Sequence, residues 1–174
     1  MNMYMYLRHT GIFVVYLLLQ ILVFKNLTLG EVASAHAYLV ALLIVPINTP
    51  FPILLFMAFF AGMLVDVLSF GPFKGVSAFS AVLMLSLRNA WVGLITNKSS
   101  FRGTEESLIK VQPFRWLVQY MMPLIMVYEF SYHVLEAFSF HHFGYTLLRF
   151  ALSSLYTLLI CLIFTYWIHQ ENKR

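Results

Sequence analysis

The sequence predicts an all-α polytopic membrane protein, a six-helix transmembrane bundle, and three observations predict it. Of the 174 residues, 61% are hydrophobic and only 10% are charged, against roughly 25% charged in an average soluble domain. So few charges cannot cover a soluble globule this rich in Phe, Leu and Tyr. Apolar runs close to the ~20 residues needed to cross ~30 Å of hydrocarbon recur along the whole chain. Short Pro and Gly turns, with one longer polar stretch, separate them.

The first run, roughly 10 to 28, follows Arg8 and precedes "ASA" at Ala33 to Ala35, which resembles a signal-peptide cleavage site. The polar stretch "KNLTLGEV" puts too long a gap between apolar core and cut site, so a retained helix is expected. Segment two, 33 to 48, is the weakest, being short and closed by "PINTP", where Pro46 and Pro50 end helices. Segment three, 51 to 69, then forms a tight hairpin with it. "FGPFKG" connects to segment four, 75 to 95, and "NKSSFRGTEESLIKVQ" leads to segments five and six, 113 to 137 and 145 to 168. That polar stretch is too short for a domain, so one integral-membrane domain over 1–174 is expected.

With six crossings both termini share a side. Arg8, Arg88, Lys98, Arg102, Lys110, Arg115, Lys173 and Arg174 then fall together, leaving Lys25, Lys74 and Arg149 opposite. This asymmetry puts both termini in the cytoplasm. The net charge of +4 is scattered between apolar runs and forms no basic stripe, which argues against nucleic acid. Cys161 in "LLICLIF" is the only cysteine, so neither a disulfide framework nor a thiolate metal site is available.

Asp66 is the one carboxylate of segment three, and it lies about three residues, roughly 4.5 Å, from that segment's outer end. Ala58, Gly62 and Asp66 recur every four residues and share a face that lets another helix approach closely. Segment four opens with the equally small "GVSA", Gly75 to Ala78, whose unpaired N–H groups would meet Asp66 across the turn. Both a structural use of Asp66 as their acceptor and a functional use of an intramembrane acid are open. In segment five, Glu129, His133 and Glu136 fall on one helical face. They form either a polar seam paired with Arg149 or part of a metal site, which would need further ligands such as His36, His141, His142 or Asp66. The seam is the expected arrangement, with no metal or other cofactor. Asp66, Lys74, Glu129, His133, Glu136 and Arg149 all map to the outer third of the bundle. On the inner side Arg88 is expected to snorkel to the interface, with Trp91, Trp116 and Trp167 as interfacial anchors and Pro123 as a bend in segment five. No G-x-S-x-G, H-E-x-x-H, C-x-x-C or Gly-rich phosphate loop is present, so no enzyme is expected.

A helix ending in "FFAGMLVDVLS", then a Gly/Pro turn and "GVSAFSAVLM", resembles the centre of the rod shape-determining MreD family, with its G-x-x-x-D and G-x-x-A. "LLLQILVFKN", the "NTP" turn and "YEFSYHVLEAFSFHHFGYTLLRFALSS" extend the resemblance over most of the chain. One departure is Val76 and Ser77, where many members carry a His, so no role of that His is carried over. The resemblance implies a bacterial inner-membrane protein without enzymatic chemistry. It would act as a scaffold of the cell-elongation machinery, with an MreC-like bitopic protein as direct partner. RodA, its transpeptidase partner, MreB filaments and membrane lipid complete the surroundings. The family is also similar in fold to the substrate-binding subunits of energy-coupling-factor transporters. The alternative function is therefore a membrane subunit that binds a small vitamin-like molecule.

Overall fold

The computed structural model describes residues 11, 15–24, 33–46, 49–68, 75–95, 114–137 and 143–171. They form six helices. Helix α1 covers 15–24 and ends in a π-helical turn, Gln20–Phe24. It is followed by α2 (Leu39–Ile44), α3 (Phe51–Leu68), α4 (Val76–Ile95), α5 (Phe114–Ala137) and α6 (Phe143–Glu171).

Local chemistry places several of the ends. Val45 precedes Pro46 and takes extended backbone, φ −51° and ψ 135°, because the proline ring disfavours a helical neighbour. That stops α2. Helix α3 starts directly after Pro50 and tolerates Pro52 in its first turn, where the missing N–H has no helical acceptor in any case. Gly75 precedes α4 with φ +92°, a left-handed conformation that side chains resist. Pro123 sits inside α5 and cannot donate to the carbonyl of Gln119, four residues back. The Trp91 indole N–H of α4 donates to that carbonyl instead, at 3.1 Å.

Helices α3, α4, α5 and α6 pack in chain order as successive antiparallel neighbours. Asp66 meets the start of α4, Arg88 and Trp91 late in α4 meet early α5, and Glu129 and Glu136 late in α5 meet early α6. Helix α2 lies in the core, and all six of its residues are buried. The expected helix over 33–48 is therefore corrected: among the described residues of that stretch only Leu39–Ile44 is helical, and 33–36 is irregular backbone. Its apolarity reflects enclosure by neighbouring helices rather than one continuous crossing.

Among the described residues, three helices are long and apolar enough to cross a membrane: Phe51–Leu68, Val76–Ile95 and Gly144–Trp167. Helix α5 is equally long, with 24 residues, but carries Arg115, Glu129 and Glu136. The core is apolar, but unlike that of a soluble globule it is matched by an apolar exterior and holds several polar side chains. Phe56, Phe60, Leu155, Leu159 and Ile163 are exposed, while Gln20, His36, Asp66, Arg88, Glu129 and His133 are buried. Such an apolar exterior suits lipid. There, helix association rests on close packing and hydrogen bonds, because lipid tails are as apolar as Leu.

Candidate functional site

The α3–α4 hairpin is closed by one carboxylate. Asp66 Oδ2 accepts the backbone N–H of Gly75 at 2.9 Å, of Ser77 at 3.0 Å and of Ala78 at 3.4 Å. These belong to the first turn of α4 and its flanking glycine, where N–H groups have no intrahelical acceptor. Capping thus comes from a neighbouring helix, with the negative charge at the positive end of the α4 dipole. One turn earlier, a β-carbon on Gly62 would lie 2.4 Å from Ala78 Cα. Ala58 and Ala78 are buried at 0% and 1% exposure. Only hydrogen at position 62 permits this approach.

The second centre forms around 33–38, where the carbonyls of His36, Ala37 and Tyr38 accept from the first N–H groups of α2 at 3.1–3.2 Å and the remaining buried backbone groups need partners from elsewhere. Side chains of α1 and α6 provide them. Ser153 Oγ accepts from Ser34 N–H at 3.1 Å and Thr157 Oγ1 from His36 N–H at 3.2 Å. From α1, Gln20 donates to the Ala35 carbonyl at 2.8 Å and accepts from Tyr38 N–H at 3.4 Å. At the far end of α2, Tyr120 donates to the Leu43 carbonyl at 3.0 Å, and Arg88 donates to the Val45 carbonyl and, through Nε, to Tyr120 Oη at 2.7 Å. The expected snorkelling of Arg88 is thereby corrected. Arg88 is 0% exposed and turns inward, because the carbonyls that end α2 lack helical donors and attract a cation.

Glu129 is the hub of this centre. Its Oε1 accepts from Thr157 Oγ1 at 2.7 Å and lies 2.9 Å from His36 Nδ1. Its Oε2 lies 3.5 Å from His133 Nε2. His133 Nδ1 is 3.3 Å from Glu136 Oε2, which is also 3.3 Å from an Arg149 nitrogen. A continuous series of contacts thus runs His36, Glu129, His133, Glu136, Arg149. Glu129 is fully buried at one end, and the side chains of Glu136 and Arg149 are 28% exposed at the other. Tyr128 and Tyr132 flank His36, with ring centroids 5.0 and 4.8 Å away, and Tyr38 donates its hydroxyl to Tyr128 at 2.9 Å.

The sequence-derived residues therefore fall into two groups. Ala58, Gly62, Asp66, Gly75 and Ala78 build the hairpin, and Glu129, His133, Glu136 and Arg149 line the buried series. Lys74, His141 and His142 lie outside the described residues. Sequence reasoning missed Gln20 and Thr157, and gave His36 only a distant place. A lone Gln in "LLLQILVF" was the available signal, since an amide in an apolar helix needs a partner. Among the described residues no group of three or more His, Cys, Asp or Glu is placed to hold a metal ion. What the centre offers chemically is hydrogen bonding and acid–base exchange between imidazoles and carboxylates. In comparisons with protein-family models, curated proteins and solved structures, nothing matches the chain.

Proposed function

We propose that the chain is a non-enzymatic membrane scaffold of the bacterial cell-elongation machinery, an MreD-like protein of the inner membrane. In this reading the six helical segments are passes, the broken 33–46 stretch is the second, and both termini lie in the cytoplasm. The observation that supports it is the α3–α4 hairpin. Gly62, Asp66, Gly75 and Ala78, which carry the resemblance, are joined there in one packed and hydrogen-bonded unit. The engagement of Glu129 and Glu136 with neighbouring side chains fits a part that holds shape. The direct partner is an MreC-like bitopic protein, with RodA, its transpeptidase and MreB further out and lipid against the apolar faces.

Affinity purification of the full chain from its own membranes tests this reading. The expected result is an MreC-like partner in near-equal amount, with loss of rod shape on depletion. Recovery of ATPase subunits and a bound vitamin-like molecule would overturn it in favour of an energy-coupling-factor substrate-binding subunit. One observation favours that second reading: irregular backbone, 33–36, in a polar core junction. Broken segments at such junctions are where many transporters bind their substrates.

A further inference from the structure

Residues 33–37, "ASAHA", are enclosed between helices, yet little apolar surface anchors them. Their apolar side chains are three alanines, of which Ala35 and Ala37 pack on Ile160 of α6 in a small cluster separate from the main core. Burying methyl groups contributes far less than burying the leucines and isoleucine of α2, next in the chain. The hold is polar instead. Ser34 N–H donates to Ser153 Oγ and His36 N–H to Thr157 Oγ1 on α6, the Ala35 carbonyl accepts from Gln20 on α1, and the His36 ring lies 2.9 Å from Glu129 of α5. Residues 34–36 belong to no helix or strand. Directly after them the chain is fixed, because Tyr38 is fully buried, donates its hydroxyl to Tyr128 at 2.9 Å and immediately precedes α2.

We propose that residues 33–37 form a strap across α1, α5 and α6 that opens as one unit about Tyr38, while α2 and the α3–α4 hairpin stay closed. Regions with few buried apolar contacts and no regular backbone pairing open at the least free energy, and this strap meets both conditions although it is buried. Its clasps are coupled through the backbone. Ser34 and His36 flank Ala35, so neither amide can leave α6 without displacing the carbonyl that Gln20 holds. Glu129 is a positioning residue for one clasp. The single hydroxyl hydrogen of Thr157 is directed to Glu129 Oε1 at 2.7 Å, which turns an oxygen lone pair toward the His36 N–H. Opening therefore parts His36 from Glu129 and Thr157 together and gives the polar centre a second arrangement. A local element with two arrangements is what a switching protein biases, and the strap stands independently of both readings of function.

Amide hydrogen exchange, resolved residue by residue by magnetic resonance on the full chain in lipid nanodiscs, tests the strap. In the parent chain the Ser34 and His36 amides should share one protection, roughly tenfold or more below that of Leu42 and Leu43 in α2. Gln20→Leu touches neither amide directly, yet should lower the protection of both by roughly fivefold, the worth of one net hydrogen bond. Thr157→Val should lower it at Ser34 as well as at His36, and Thr157→Ser should restore both. The Gly75 and Ser77 amides held by Asp66 should exchange as in the parent. Should Gln20→Leu fail to fold, Thr157→Val and the parent chain still decide. Protection equal to that of α2 in the parent overturns the strap, because the segment then opens only with the core. Changes confined to the amide whose own partner was removed overturn its opening as one unit, and parallel loss at Gly75 and Ser77 overturns its independence of the hairpin.

Discussion

Asp66 and Gly62 show how much one atom decides at a helix junction. Asp66→Ala removes the acceptor of three backbone donors, and leaving a buried donor unsatisfied costs about 1–3 kcal/mol. Asp66→Asn keeps one oxygen and should lose less. Gly62→Ala drives a methyl into the backbone of Ala78, and its cost should reach or exceed the ~1–3 kcal/mol of ordinary overpacking. Unfolding titrations in mild detergent measure all three, and a Gly62→Ala variant as stable as the parent would remove the close approach from the account. The spacing of Gly62 and Asp66 was legible in the sequence because helical periodicity puts every fourth residue on one face. Arg88 was not. Nothing local to "LSLRNAW" announces that the carbonyls of Leu43 and Val45 end a buried helix beside it.

Among the elements, α5 and α2 each contain a defect that a neighbour repairs. Proline inside α5 leaves the Gln119 carbonyl without its helical donor, and Trp91 provides one from α4. Trp91→Phe should therefore cost roughly 1 kcal/mol through this bond. In a Pro123→Ala background the backbone N–H returns, and the same substitution should cost close to nothing beyond packing. A double-mutant cycle on thermal stability reads this coupling directly, and equal costs of Trp91→Phe in both backgrounds would count against it. Helix α2 is the more extensive case, since the irregular stretch before it draws its hydrogen bonds from Gln20, Ser153 and Thr157. Hydrophobic patterning found an apolar segment there but could not tell a short buried helix from a spanning one. Both are apolar on every side.

At the scale of the whole molecule, the described residues set large apolar side chains outward and enclose Gln20, His36, Asp66, Arg88, Glu129 and His133 among the helices. Leu159, 60% exposed near the middle of the Gly144–Trp167 span, marks the outer face of α6. Leu159→Lys should cost about 2.5–3.5 kcal/mol of membrane insertion, visible as a larger alkali-extractable fraction in isolated membranes. No loss of membrane-embedded chain would argue that this face meets something other than lipid.

Composition and spacing by themselves determined the helical class, the apolar helices long enough to cross a membrane, and the faces that bear Gly62, Asp66, Glu129, His133 and Glu136. These follow from chain-local rules of length, periodicity and hydropathy. Tertiary structure alone decided that the second apolar segment is broken, that Arg88 turns inward, and that His36, 93 residues from Glu129 in sequence, contacts it. The physical reason is that each depends on an unsatisfied backbone or charged group finding a partner on another helix. No local window of sequence contains both members of such a pair.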